Sequence, residues 1–323
     1  MRLTRLTKDE WTIGALRQHL QYAVDLELWT IPFYLSAQLS IVDRRSDAYQ
    51  LIQTIVHQEM LHLQLVSNVA NAYGLSPSFD APRYEGQTIP HLDFALDTPN
   101  PTADFSPYSA EIGPLDTERL NAMCLIEYPE WGVPPPSNFS DERTEYGSIG
   151  ELYEALVFGA AQLKSHLRGG IKQVDYFSAY YRGYPSMTVT AHGEEGFRQA
   201  RLLLDTIREQ GEGAAKKRER IPRPMQNTAD DMQPSMPHFD KFYALRQAPV
   251  KPATYPVKPV SEYGPADLEL LEILTRNFAG LRVALQHLFA GDNPESFVER
   301  MVSVGASLQN CWKHGVTPRF NSL

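Results

Sequence analysis

Cysteine is nearly absent: Cys124 and Cys311 are the two in 323 residues, far apart and outside any Cys-x-x-Cys pair. That excludes a disulfide framework and a thiolate zinc site, so a metal in this chain has to be held by Glu, Asp and His. Long apolar runs are missing too. No segment reaches the roughly 18 uninterrupted apolar residues that mark a membrane span, and no membrane partner is expected. An excess of positive charge is the third absence. With a net charge of −9 and no long Lys/Arg run, the chain is expected to carry neither a nucleic-acid footprint nor a basic membrane-surface helix. The opening "MRLTRLTKDEW" has no apolar signal core, so a cytoplasmic location is expected.

What the chain does have is apolar content, 42% of its residues, distributed with helical spacing. From Trp11 onward Leu16, Leu20, Val24, Ile31 and Leu35 repeat every three or four positions. A second stripe, Ile52, Ile55, Val56, Leu63, Val66 and Ala70, ends at Gly74, a usual residue just past a helix terminus. The same reasoning places long helices near 12–40, 47–73, 147–166 and 194–210, a short one near 116–127, and further amphipathic segments near 237–245, 265–290 and 294–312. Between them, residues 75–115 are rich in proline and form a long irregular crossover. The aromatic stretch 176–184 reads as a short strand pair or a loop, and the charged segment 214–237 as mobile or draped over the surface. The fold class expected is all-α. Residues 1–250 are expected as the bundle and 251–323 as a C-terminal helical extension packed on it.

Two carboxylates sit where hydrophobic side chains should be. Glu27 shares the face of Leu20, Val24 and Ile31, and Glu59 lies in the middle of the second stripe of "HQEMLHLQL", with His62 three residues on at its margin. His57 projects elsewhere. An unpartnered buried carboxylate is so costly that it takes up a proton or finds a cation. Helical bundles meet that need with Glu from some helices and Glu-x-x-His from others, since positions i and i+3 share a face. Oxygen and imidazole donors suit iron or manganese. A buried Glu bonded to a tyrosine such as Tyr34 or Tyr22 is the alternative, and spacing alone leaves both open. For a further carboxylate, Glu127 faces inward from its short helix. Glu151 starts the third long helix off its apolar face, where the helix dipole favours a negative charge; Glu127 is preferred. Gly211 and Gly213 read as a helix stop.

The segments "YAVDLELWTIPFYLSAQLSI", "IVHQEMLHLQLVSNVANAYG" with "SPSF" after it, "IEYPE", "SIGELYEAL", "IREQGEG" and "HFDKFYAL" occur in this order over roughly residues 12–290. Together they resemble the ferritin-like domain associated with iminophenyl-pyruvate dimer synthases of the violacein and indolocarbazole pathways. The resemblance implies a ferritin-like four-helix bundle with long crossovers and extra C-terminal helices. It implies two metal ions, iron with manganese as the alternative, and maps onto Glu27, Glu59 and His62. It adds Glu212 and His238 as the carboxylate and imidazole of the second half. Here the pair departs from the ordinary ferritin pattern, in which the second Glu-x-x-His lies within one helix.

Three classes of function follow. The leading one is a di-metal oxidase or oxygenase acting with dioxygen on a small amino-acid-derived or imine substrate in specialised metabolism. A metal-binding or storage protein and a metal-free accessory protein are the others. Partners are expected to be a small-molecule substrate and dioxygen, with assembly into a homo-oligomer left open.

Overall fold

The computed structural model describes residues 6–7, 9–96, 100–129, 146–184, 186–211, 221–294 and 296–321. Among these the chain is all-helical: α1 (Ile13–Ser40), α2 (Asp47–Ala72), α3 (Thr117–Ile126), α4 (Ile149–Gln162), α5 (Gly193–Gly211), α6 (His238–Gln247), α7 (Pro265–Ala290) and α8 (Phe297–Lys313). The described residues contain no strand, and isolated bridges such as Ile41 with Thr254 are the only β pairing.

Helix starts follow local chemistry. Thr12, Ser46, Asp116 and Ser148 each place a side-chain oxygen on the backbone N–H three residues ahead, at Ala15, Tyr49, Arg119 and Glu151. Each such cap contributes about 0.5–2 kcal/mol. Helix α7 stops at Gly291, whose φ of 95° is open to glycine at little cost.

Helices α1, α2, α5 and α4 close a four-membered bundle, in which α1 packs on α2, α2 on α5, α5 on α4 and α4 on α1. Two accessory pairs cover it. Helices α3 and α6 pack on each other, and α6 also meets α2 and α5. Helices α7 and α8 pair and lie against α2 and α1 respectively. Trp312 of α8 is fully buried, and its indole N–H donates to the Ser36 carbonyl at 2.9 Å, which joins the C-terminal pair to α1. Because neighbours surround α1 and α2 on several sides, these helices are buried over most of their circumference rather than along one stripe.

Several sequence-based expectations shift. The third long helix ends at Gln162, followed by a 3-10 turn at Lys164–His166. Glu127 stands one residue past α3, as its C-cap. No strand forms at 176–184. Residues 221–237 are pinned rather than mobile: the Lys241 ammonium and the Asp231 carboxylate meet at 2.6 Å, both side chains wholly buried, and His57 Nδ1 lies 2.5 Å from Asp230 Oδ2. His57 therefore holds this segment, a role its outward direction on the helix did not suggest. Glu212 falls outside the described residues. No helix among those described is long and apolar enough to cross a membrane.

Candidate metal centre

Five of the ionisable side chains singled out from the sequence come together between α1, α2 and the α3–α6 pair. Glu27 comes from the middle of α1, Glu59 and His62 from α2, Glu127 from the cap of α3, and His238 from the first turn of α6. All are buried, with His238 fully inaccessible. Donor atoms of Glu59, His62 and His238 lie within 4.8 Å of one another. The two imidazoles stack, with ring centroids 5.3 Å apart.

Each carboxylate is used in the same way. One oxygen accepts from a buried hydroxyl: Tyr153 donates to Glu27 Oε1 at 2.5 Å, Thr30 to Glu59 Oε2 at 2.5 Å, and Tyr34 to Glu127 Oε1 at 2.7 Å. The other oxygen is aimed at the histidines. Glu27 Oε2 and Glu59 Oε1 stand 3.5 and 3.6 Å from His62 Nδ1, while Glu59 Oε1 and Glu127 Oε2 stand 2.9 and 3.6 Å from His238 Nδ1.

The histidines are oriented from behind. His62 Nε2 lies 2.9 Å from Gln210 Oε1, and His238 Nε2 lies 2.9 Å from Gln58 Oε1. Gln210 is itself fixed, because its amide nitrogen donates to the Met225 carbonyl at 2.5 Å. A carbonyl oxygen only accepts, so each Nε2 carries the proton. In the neutral imidazole Nδ1 is then a bare lone pair facing carboxylate oxygens. His238 Nδ1 lies close to Glu59 but lacks hydrogen-bond alignment, which leaves a buried nitrogen with no partner. Lone pairs converging on one another in a buried space require a cation or protons between them.

Without a metal, protons take that role. Burial pushes the Glu59 carboxyl well above its usual range, and the charges of Glu127 and Glu27 push it further. Burial opposes charge on His62, but Glu27 and Glu59 outweigh it and carry its pKa upward. The tyrosines stay protonated: burial, and then the neighbouring carboxylates, raise Tyr34 and Tyr153 well above the ordinary phenol.

The ferritin-like family profile matches residues 20–247. The chain belongs to the ferritin-like family. A solved structure of a ferritin-like protein from Caulobacter vibrioides is 46% identical, superposes with a TM-score of 0.83, and covers 96% of this chain and 99% of that one. No curated protein matches it.

This ferritin-like protein departs from a centre built on four bundle helices. Helices α4 and α5 supply Tyr153 and Gln210, which position the cluster, while the accessory α3–α6 pair supplies Glu127 and His238. Glu151 is buried at the start of α4, where it accepts from the Gly147 N–H at 2.8 Å and closes the helix cap. Gly211, read from the sequence as a helix stop, is the last described residue of α5, and a Cβ there would sit 2.9 Å from Glu127 Oε2. The donor set fits a metal. Three carboxylates and two Nδ1 lone pairs converge, each braced from behind by a hydroxyl or an amide, as outer partners brace metal ligands.

Sequence reasoning missed Gln58, Gln210 and Thr30. One signal was present for Gln58: it lies four residues before His62, hence beside it on α2, although the histidine it meets is His238. Gln210 left no such trace, because only the packing of α5 on α2 brings it to His62.

Proposed function

We propose that this ferritin-like protein binds two iron ions, with manganese as the alternative, through Glu27, Glu59, His62, Glu127 and His238, and that it is an oxidase or oxygenase for a small organic molecule. The observation that carries this reading is the pair of stacked histidines. Their Nε2 protons are committed to glutamine oxygens, and their Nδ1 lone pairs face three buried carboxylates.

Iron held there would supply electrons to dioxygen and oxidising power toward the substrate. The chain's own part is to hold the ligands in place. Tyr153, Thr30 and Tyr34 each donate to one carboxylate oxygen and leave the other free to ligate. Gln58 and Gln210 set the imidazole tautomer, and the buried setting keeps water from the ligands. Three carboxylates fall one negative charge short of two divalent cations. Glu212, two residues beyond Gln210, is the proposed fourth. The likeness to the domain associated with iminophenyl-pyruvate dimer synthases points to an amino-acid-derived imine as the substrate class.

The test is anaerobic loading with ferrous iron, metal counting, and then absorption spectroscopy on admitting oxygen. About two irons per chain with an oxygen-dependent charge-transfer band is the expected result. Hundreds of irons per assembly would instead indicate storage, and none an accessory protein.

A further inference from the structure

Helices α1 and α2 show a second face away from the metal-ligand cluster. Leu28, Ile31 and Leu35 of α1 and Met60 and Leu63 of α2 form one wall of a cavity of about 290 Å³, closed by α7, α8 and the segment at Val174–Tyr180. None of the candidate metal ligands lines it. Interiors pack with few voids larger than a water molecule; this one has the liquid volume of about ten waters.

Its lining is almost entirely carbon, with no Lys, Arg, His, Asp or Glu. A charged ligand would lose its hydration there with nothing in exchange. Besides the phenols of Tyr176 and Tyr180, one polar side chain lines it, Gln64, 3% exposed. Its Oε1 accepts from the Tyr176 backbone N–H at 2.7 Å, which fixes the amide orientation, and its Nε2 is a buried donor without a partner. At the rim, Tyr176 stacks on Phe297 with centroids 5.4 Å apart, and Tyr176 and Val298 are exposed apolar side chains at the opening.

We infer that this cavity is a binding site for an uncharged, largely apolar molecule of on the order of a dozen non-hydrogen atoms, about its capacity in waters, carrying one acceptor oxygen that receives the Gln64 Nε2 proton. A ketone or ester fits this description. The aromatic stretch around 176–180 and the α7–α8 pair then have a shared task, enclosing the ligand against α1 and α2. The inference is independent of the metal reading, since no residue is common to both sites.

The experiment is calorimetric titration of the full chain with three probes of one shape: 2-acetylnaphthalene, 2-isopropylnaphthalene and 2-naphthoate. The ketone should bind one to one and about two- to tenfold more tightly than the hydrocarbon, as one neutral hydrogen bond allows, and the anion should not bind. Gln64→Leu should abolish the preference for the ketone while retaining the hydrocarbon. Leu285→Trp, which fills the cavity, should weaken both neutral probes at least tenfold; Met301→Trp at the wall provides the same test should Leu285→Trp fail to fold. Absence of one-to-one ketone binding to the wild type would overturn the inference. So would equal binding of the anion, or a ketone preference that survives Gln64→Leu.

Discussion

Replacing Lys241 by methionine should destabilise the protein by about 3–5 kcal/mol, the usual consequence of leaving one member of a buried ion pair uncompensated. The ammonium lies 2.6 Å from Asp231 Oδ2 and 3.1 Å from Thr54 Oγ1, and neither charged side chain reaches solvent. Burial already pulls the Lys241 pKa below its ordinary value, against the opposing pull of Asp231, so the attraction falls short of the cost of desolvating the ammonium. Asp231→Leu should cost a similar amount. The double variant Asp231→Leu/Lys241→Met should recover most of the loss, because well-packed apolar groups replace a buried pair at little net cost. Thermal unfolding would read the single variants as a drop on the order of 10 °C. Lys241 lies one helical turn after His238, and Asp231 follows the Asp230 that His57 holds, so the single variants should also speed proteolysis within 221–237 and weaken metal binding. The reasoning fails if Lys241→Met costs less than about 1 kcal/mol, or if the double variant costs the sum of the singles.

Glu59→Gln should lower metal content while leaving the metal-free protein as stable as the wild type or more so, since burial already favours the neutral side chain at this position; metal counting and denaturation of the chelated protein check both halves. Gln58→Leu and Gln210→Leu should each weaken metal affinity about 10- to 100-fold by releasing the imidazole tautomer, measured by competition with a chelator. Gly159→Ala should cost about 1–3 kcal/mol, because a Cβ there would stand 2.2 Å from a ring carbon of Trp11; a wild-type melting curve would count against the packing described. Burial pushes the thiols of Cys124 and Cys311 up to about 12. For an acid raised in the folded state, that neutral-form stability is complete below the ordinary value near 9 and is lost progressively as pH climbs from there through about 12. Alkylation of the native protein should therefore stay far slower than that of the unfolded chain between pH 7 and 9, and equal rates would count against the burial described.

Much of this protein is decided within single helices. The bundle helices follow from apolar residues at three- and four-residue spacing and from caps such as Thr12 and Ser148, which act over a few residues. Glu27, Glu59 and His62 were legible for the same reason: a polar group within an apolar stripe is buried wherever the helix later packs. Glu127 was distinguishable from Glu151 by the face it occupies, while His238 entered only through the family resemblance. Only the tertiary structure decided the rest. Gln210 meets His62 across 148 positions and Tyr153 meets Glu27 across 126, and neither separation has a period that a sequence could display. His57 pointed away from the cluster, yet the path of residues 221–237 over α2 gave it Asp230 as a partner. The cavity behind α1 and α2 exists because α7 and α8 return to cover those faces. Periodicity tells a side chain which way to point, and only the packed chain sets what stands opposite it.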